Sequence, residues 1–98
     1  MGQSMNNICP LCQNTSEYWV VKGQGSQFRF YECSNCVKFV ISKTAERQIP
    51  KKLASRLNEL SIKAAKQSEN RVLFIRRNEA GQPEEFKITV EETSCFPT

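Results

Sequence analysis

Alternating apolar and polar positions in the first half of the chain predict a β-hairpin followed by a third strand. Residues 17–22 and 27–32 are rich in aromatic and β-branched side chains, and the segment between them contains two glycines. Residues 37–42 continue the same strand-like pattern. The sequence therefore predicts three short strands in this half of the molecule.

Aromatic residues are concentrated in these strands. Alternation places Phe28 and Phe30 on one face of their strand, and Arg29 and Tyr31 on the other. The favoured interpretation is that the aromatic rings cover a core too small to bury them otherwise, and the alternative is a platform that stacks nucleic-acid bases or docks a partner. The rings concerned are those of Trp19, Phe28, Phe30 and Phe39.

From Ser42 onward the spacing of apolar residues becomes helical. Ser42 or Thr44 can cap a short helical turn that ends near Arg47. Pro50 is suited to the first position of a longer helix, because its missing N–H costs nothing there. This amphipathic helix is predicted over about residues 50–67, and its apolar stripe consists of Leu53, Leu57, Leu60 and Ala64.

The last part of the chain predicts a second hairpin. Residues 71–77 form an apolar run with basic ends, residues 85–91 alternate strictly, and the turn-forming segment 78–84 separates them. A single hairpin is marginally stable in water unless it packs against something. The amphipathic helix is the obvious cover, so the two halves are expected to share one core.

Four cysteines occur as two C-x2-C pairs, Cys9–Cys12 and Cys33–Cys36, separated by the twenty residues 13–32. This spacing is typical of a four-thiolate zinc site, in which a hairpin brings the two pairs together. The pattern predicts one structural Zn²⁺. Two disulfides and an iron site are the alternatives; a reducing compartment disfavours the first, and ligand preference disfavours the second.

The composition argues against an enzyme. The chain contains no histidine and no aspartate, so the commonest general base and the acidic clusters of magnesium-dependent enzymes are missing. Four cysteine ligands also close the coordination shell of a zinc ion, whereas a catalytic zinc keeps one position open. A thiol redox role is disfavoured because neither C-x2-C pair opens a helix after a strand. No small-molecule substrate is evident, and Cys95 is expected to be a spare thiol.

Neither a membrane span nor a signal peptide is recognisable. No apolar run approaches about 20 residues, and the polar start lacks a basic and then apolar layout. The expectation is a cytoplasmic protein. Met1–Ser4 are interpreted as a cloned extension, with Met5 as the natural start.

The order of these motifs resembles a zinc-ribbon module of uncharacterised bacterial and phage proteins, in which a Cys-Pro-x-Cys pair, a Tyr-x-Cys-x-x-Cys pair and an Ile-Ser dipeptide precede a helix. The matching residues here are Cys9-Pro10-Leu11-Cys12, Tyr31-Glu32-Cys33-Ser34-Asn35-Cys36, Phe39 and Ile41-Ser42. The resemblance covers about the first half of the chain and implies a metal-binding accessory domain. It departs from that pattern where Gln13 and Val37 replace the glycine that usually follows the second cysteine. Because valine disfavours a left-handed backbone, the second knuckle is expected to be distorted and its sulfurs poorly hydrogen-bonded.

The predicted fold is therefore α+β: a zinc ribbon with rubredoxin-like knuckles, followed by an amphipathic helix and a C-terminal β-hairpin. Residues 1–7 are expected to be a disordered extension, residues 8–42 the zinc ribbon, and residues 43–98 the helix and hairpin packed on it. The whole is expected to be a single domain.

Charge is segregated along the second half. Residues 51–77 contain eight Lys or Arg against Glu59 and Glu69, a net charge of +6, whereas residues 78–98 carry −4. A filled four-thiolate zinc site would lower the formal charge of the chain from +4 to about +2, so its distribution matters more than its sum. A solvated helix face explains such a pattern, and contact with phosphates is the functional alternative.

Two functions remain open. The first is a binding module that contacts nucleic acid through the basic helix and the ribbon aromatics, with Arg29, Lys52, Arg56, Lys63 and Lys66 as the candidate residues. The second is an adaptor or inhibitor that binds protein, using the edge of the strand over residues 85–91 or the acidic stretch Glu91-Glu92-Thr-Ser.

Overall fold

The computed structural model describes residues 5–23, 25 and 27–98. These residues form one six-stranded sheet whose strands lie in the order of the sequence. Its strands are β1 (Met5–Ile8), β2 (Thr15–Val20), β3 (Phe28–Cys33), β4 (Val37–Ser42), β5 (Arg71–Arg77) and β6 (Phe86–Glu92). Between β4 and β5 lie helix α1 (Lys43–Lys52), a 3-10 turn (Ala54–Arg56) and helix α2 (Leu57–Ala65), and a second 3-10 turn (Thr93–Cys95) follows β6.

Strands β4 and β5 pair in parallel, whereas every other neighbouring pair is antiparallel. Parallel neighbours need a long crossover connection, which the two helices provide here. The α+β class is confirmed, but the sheet is larger than a simple ribbon. The two predicted hairpins belong to one sheet, in which β4 lies between them.

The start of the chain differs from the sequence-based expectation. Residues 5–8 form strand β1, although residues 1–7 were expected to be a disordered extension. This strand is held by more than its backbone ladder, because Ser16 Oγ donates to the Asn7 carbonyl (3.0 Å) and Asn7 Nδ2 donates to Tyr31 OH (2.9 Å). The cloned extension proposed for residues 1–4 lies outside the described residues.

The predicted single helix over residues 50–67 is also wrong. Helix α1 already begins at Lys43, where Ser42 Oγ accepts a hydrogen bond from the Ala45 amide (3.2 Å). Pro50 lies inside α1 rather than at a helix start, and because it has no N–H it weakens the last turn. The backbone leaves the helical conformation at Leu53, and α2 begins at Leu57.

The helices cover one face of the sheet. The predicted apolar stripe does face this interior: Leu60 and Ala64 are buried there, and Leu53 and Leu57 pack against its margin. We call this the helix-side core; it comprises Cys9, Leu11, Tyr18, Tyr31, Cys36, Phe39, Ile41, Ala45, Ile49, Leu60, Ala64, Leu73, Ile75 and Phe86.

A smaller apolar cluster lies on the opposite face of the sheet. The C-terminal segment contributes Phe96, whose ring lies 4.9 Å from that of Phe74, and the Lys22 amide donates to the Pro97 carbonyl (2.8 Å). This far-side core comprises Val21, Phe30, Val40, Val72, Phe74 and Phe96. Within the described part of the chain, no helix is long and apolar enough to cross a membrane.

Candidate metal centre

Both cysteine pairs converge on one point at one end of the sheet. The Sγ atoms of Cys9, Cys12, Cys33 and Cys36 all lie within 4.8 Å of one another. Cys9 Sγ is 3.7 Å from Cys36 Sγ, and Cys12 Sγ is 3.2 Å from Cys33 Sγ. Sulfurs bound tetrahedrally to one zinc at the usual Zn–S length are about 3.8 Å apart. The four thiols are therefore arranged so that they could hold one metal ion.

The first knuckle is a tight turn between β1 and β2. The Cys9 amide donates to the Asn14 carbonyl (2.8 Å), and the Gln13 amide donates to the Cys9 carbonyl (2.9 Å). Inside this turn the backbone amides of Leu11 and Cys12 act to lower the pKa of the Cys9 thiol, and the Asn14 amide acts in the same direction on the pKa of Cys12. Backbone donors of this kind orient thiolates toward a metal and stabilise their charge.

The second knuckle connects β3 to β4. The ladder between these strands ends at the pair Cys33–Val37, and the Lys38 amide donates to the Cys36 carbonyl (2.8 Å). The register of β3 and β4 thus places the sulfurs of Cys33 and Cys36 opposite the first knuckle.

Gln13 and Val37, which replace the usual knuckle glycines, both adopt left-handed backbone conformations, with φ of 67° and 64°. Val37 thus adopts the left-handed conformation that its branched side chain disfavours, whereas the expected poor hydrogen bonding of the second-knuckle sulfurs stays a prediction. Because a left-handed conformation costs a branched residue about 1–2 kcal/mol, Val37 is a strained position that the turn and the sulfur cluster impose.

Ser61 of α2, which no sequence motif pointed to, contacts the cluster. Its side chain is buried, and its Oγ lies 3.0 Å from Cys36 Sγ. When Cys36 is a thiolate, the hydroxyl donates this hydrogen bond, so the second knuckle receives a donor from the helix layer. The signal was present in the spacing, because Ser61 follows Leu57 by four residues and precedes Ala64 by three, on the buried face of the helix.

The site is buried on one side and open on the other. Cys9 and Cys36 are fully buried in the helix-side core, whereas Cys12 and Cys33 are half-buried. A groove of about 740 Å³ lies beside Cys12 and α2. Leu11 is buried and Leu57 half-buried in its lining, whereas its exposed lining residues, which we call its rim, include Asn35, Asn58, Ile62 and Lys66.

In the absence of metal, the four thiols differ in acidity. A hydrogen bond from Cys36, helped by the amides of Cys12 and Leu11, lowers the pKa of Cys9 to about 5. The same contact raises the pKa of Cys36 well above its ordinary value, and burial raises the pKa of Cys12 to about 11. The metal-free site therefore favours one thiolate that accepts from a neighbouring thiol.

Three of the five candidate nucleic-acid contacts take part in intramolecular ion pairs. Arg29 Nη1 lies 2.6 Å from Glu46 Oε2, and its guanidinium stacks 4.5 Å from the Tyr18 ring centroid. Although burial opposes charge on Arg29, Glu46 raises its pKa above the ordinary value. Lys52 Nζ lies 2.5 Å from Glu85 Oε1, and Arg56 Nε lies 3.6 Å from Glu59 Oε2.

Lys63 and Lys66 behave differently. Both are exposed at the C-terminal end of α2 and, among the described residues, neither forms an ion pair. Lys66 lies at the rim of the groove beside the metal site. Arg29, Lys52 and Arg56 thus form intramolecular ion pairs, whereas Lys63 and Lys66 have no such pair among the described residues.

The ribbon aromatics divide between the two faces of the sheet. Phe39 is fully buried and stacks on Tyr31 at 5.2 Å in the helix-side core, whereas Phe30 is buried in the far-side core. Phe28 packs edge-on against Phe74 at 5.0 Å and stays half-buried, as does Trp19. The rings of Phe30 and Phe39 therefore belong to the core, as the favoured interpretation predicted. Cys95 is exposed and lies outside the sulfur cluster.

Comparison with known proteins found no matching family model, curated protein or solved structure.

Proposed function

We propose that this protein is a zinc-binding module without enzymatic activity, in which the metal stabilises the fold and the surface binds a partner. The convergence of four cysteine sulfurs within 4.8 Å carries this proposal. Zn²⁺ favours four thiolates in a tetrahedron and has no geometric preference of its own, and with four protein ligands it keeps no open position for a substrate. Zinc would supply a cross-link between the two knuckles.

The chemistry of the site supports zinc over the alternatives. Sulfurs of opposite knuckles approach to 3.7 Å (Cys9 and Cys36) and 3.2 Å (Cys12 and Cys33), as expected for a shared ion. Ser61 and the amides of the first knuckle favour the thiolate form. Native mass spectrometry with and without chelator is the test. One zinc per chain in the wild type, its loss in Cys33→Ser and its retention in Cys95→Ser are expected, whereas a metal-free folded chain would contradict the proposal.

The partner that we propose is nucleic acid, bound along the exposed face of α2 beside the groove. Support comes from Lys63 and Lys66, whose charges no carboxylate of the described residues neutralises, and from Asn35 and Asn58 at the groove rim, which offer amide donors and acceptors. Lys52 and Arg56 would contribute less, because Glu85 and Glu59 already neutralise part of their charge. Phosphate contacts of this kind dominate affinity and do not depend on base sequence.

Binding to a labelled single strand and to a duplex, measured over a range of salt concentrations, tests this partner. Affinity should fall steeply as salt rises, and Lys63→Glu with Lys66→Glu should abolish it. The matched control is Lys22→Glu with Lys43→Glu, which makes the same change of charge just beyond the ends of β2 and β4. Equal loss in both double variants would indicate a general charge effect, and unchanged binding in the first would refute this surface.

A protein partner is the second candidate, because β6 is an edge strand of the sheet. An extended segment of another chain can add to such an edge through backbone hydrogen bonds. A pull-down with this chain tests the candidate. Recovery of one protein in stoichiometric amount, unchanged when the sample is treated with nuclease, would favour a protein partner over nucleic acid.

A further inference from the structure

Strand β6 lies at an edge of the sheet. For each of its residues, the pairing with β5 shows whether the backbone amide and carbonyl point toward β5 or outward. Among the described residues, β5 is its neighbour on one side and no strand pairs with the other. Two bonds just beyond the ladder, from the Asn78 amide to the Glu85 carbonyl and from the Thr93 amide to the Asn70 carbonyl, fix the alternation. Because hydrogen-bonded pairs alternate along antiparallel strands, Lys87, Thr89 and Glu91 direct their amides and carbonyls toward β5. The backbone groups of Phe86, Ile88, Val90 and Glu92 point outward.

The sequence of this strand is self-complementary about Thr89. If two copies pair antiparallel with Thr89 opposite Thr89, each Lys87 faces a Glu91 and each Ile88 faces a Val90. The hydrogen-bonded pairs in this register are Ile88 with Val90 and Phe86 with Glu92, which are the residues whose backbone groups point outward. Registers centred on Ile88 or on Val90 would also pair the outward backbone groups. However, Lys87 would then face Thr89 in the first register and Thr93 in the second, and both charge pairs would be lost.

Within one chain, β6 has charged side chains without an opposite charge beside them and apolar side chains that are only partly buried. Lys87 lies directly opposite Arg76 on β5, and like charges in this position destabilise a sheet. Neither Lys87 nor Glu91 forms an ion pair with another described residue. On the other face, Ile88 and Val90 stay half-buried at the margin of the helix-side core. A second copy would place a carboxylate beside each Lys87 and would extend the apolar margin across the junction.

We propose that two copies of this chain associate through β6, antiparallel and centred on Thr89, to form one continuous sheet. The two-fold axis is perpendicular to the sheet, so both helix layers lie on the same side and every contact occurs twice. The inference is independent of the metal and of the nucleic-acid partner proposed above, but it competes with the protein partner for the same edge. It also assigns an occupant to the edge that a heterologous protein strand would otherwise use.

The decisive experiment uses sedimentation velocity of the metal-loaded full chain over a range of protein concentrations. The wild type should form dimers, whereas Lys87→Glu and Glu91→Lys should each weaken self-association by about tenfold or more, because each change turns both charge pairs into repulsive ones. Mixing the two variants one to one should restore the dimer, since a carboxylate and an ammonium group then face each other at both ends of the junction. Restoration in the mixture supports the register, and monomers in the mixture overturn it.

A backbone variant separates the edge contact from folding. The amide of Val90 points outward, so Val90→Pro removes a donor from the junction without removing a bond to β5. We expect a monomer with unchanged far-ultraviolet circular dichroism and metal content. A wild type that stays monomeric at the highest attainable concentration, or a Val90→Pro variant that is folded and dimeric, would overturn the proposal.

Discussion

At the scale of single residues, Val37 holds a left-handed conformation that its branched side chain disfavours. Its side chain is 48% exposed, so little packing is lost when it is removed. We expect Val37→Gly to raise the free energy of unfolding of the metal-bound protein by about 1 kcal/mol, because glycine adopts this conformation without strain. Denaturant titration followed by circular dichroism measures the change.

Val20→Gly is the matched control for this prediction. Val20 is similarly exposed, at 39%, but it lies in strand β2 with an extended backbone. There the same substitution should lower the free energy of unfolding by about 0.5–1 kcal/mol. Destabilisation of similar size at both positions would contradict the proposed strain at Val37.

The acidity of the thiols predicts proton release on metal binding. At pH 7 Cys9, with a pKa of about 5, is already a thiolate, whereas Cys12 and Cys36, whose pKa values are raised, carry protons. Because metal-bound thiols must be deprotonated, binding of one Zn²⁺ should release at least the two protons of Cys12 and Cys36. The free site thus holds more protons than the bound site, and the affinity should fall by about 100-fold or more per pH unit as the pH drops from neutral.

Calorimetric titration in buffers of different ionisation enthalpy counts the released protons. Release of fewer than two at neutral pH would show that the thiols are not protonated as inferred. The Cys95→Ser variant serves as the control, since its thiol lies outside the cluster and its removal should leave the count unchanged.

At the scale of secondary-structure elements, one hydroxyl determines where α1 begins. The sequence allowed either Ser42 or Thr44 as the cap, and the structure assigns this role to Ser42, whose Oγ accepts from the Ala45 amide. We expect Ser42→Ala to lower the free energy of unfolding by about 1 kcal/mol, since the amide loses its acceptor in a buried position. Thermal or denaturant unfolding followed at a helix wavelength measures this effect.

Thr44→Ala provides the comparison within the same turn. Thr44 is exposed in the first turn of α1, and its replacement should change stability by less than about 0.5 kcal/mol. A larger cost at Thr44 than at Ser42 would indicate that the helix begins at the other candidate cap.

The elements also show which local patterns predict structure well. Five of the strands were predicted to within two residues at each end, because alternation and turn residues mark them clearly. The helical region was predicted less well. Its apolar stripe is correct, but Pro50 was expected at the start of a helix and lies instead near the end of α1, since a good cap eight residues earlier had already started the helix.

At the scale of the whole molecule, the candidate metal site and the second half of the chain share one core. Cys9 and Cys36 belong to the same buried cluster as Leu73 and Phe86, which lie on β5 and β6. Removal of the metal by a chelator should therefore destabilise the entire protein rather than the knuckles alone. We expect a single unfolding transition at a lower temperature, with helix circular dichroism and Trp19 fluorescence changing together.

Two separate transitions would contradict this prediction and would indicate that residues 8–42 and 43–98 unfold as independent units. A matched measurement on Cys95→Ser, with and without chelator, should reproduce the wild-type curves and thereby exclude an effect of the remaining thiol.

The sequence by itself determined the candidate metal ligands, the α+β class and most strand positions. These properties depend on short-range features: two C-x2-C pairs at a fixed separation, alternation within strands, and apolar spacing along a helix. Each is set by residues a few positions apart, so no knowledge of distant contacts is needed.

Only the tertiary structure decided how these pieces meet. The parallel pairing of β4 with β5 joins segments about 30 residues apart, and no local pattern specifies which strand edges come together. The same holds for Ser61 beside Cys36, and for the carboxylates of Glu46 and Glu85 that neutralise Arg29 and Lys52. Long-range contacts of this kind depend on the packing of complete elements, and they determine which cations of the described residues have an internal ion-pair partner.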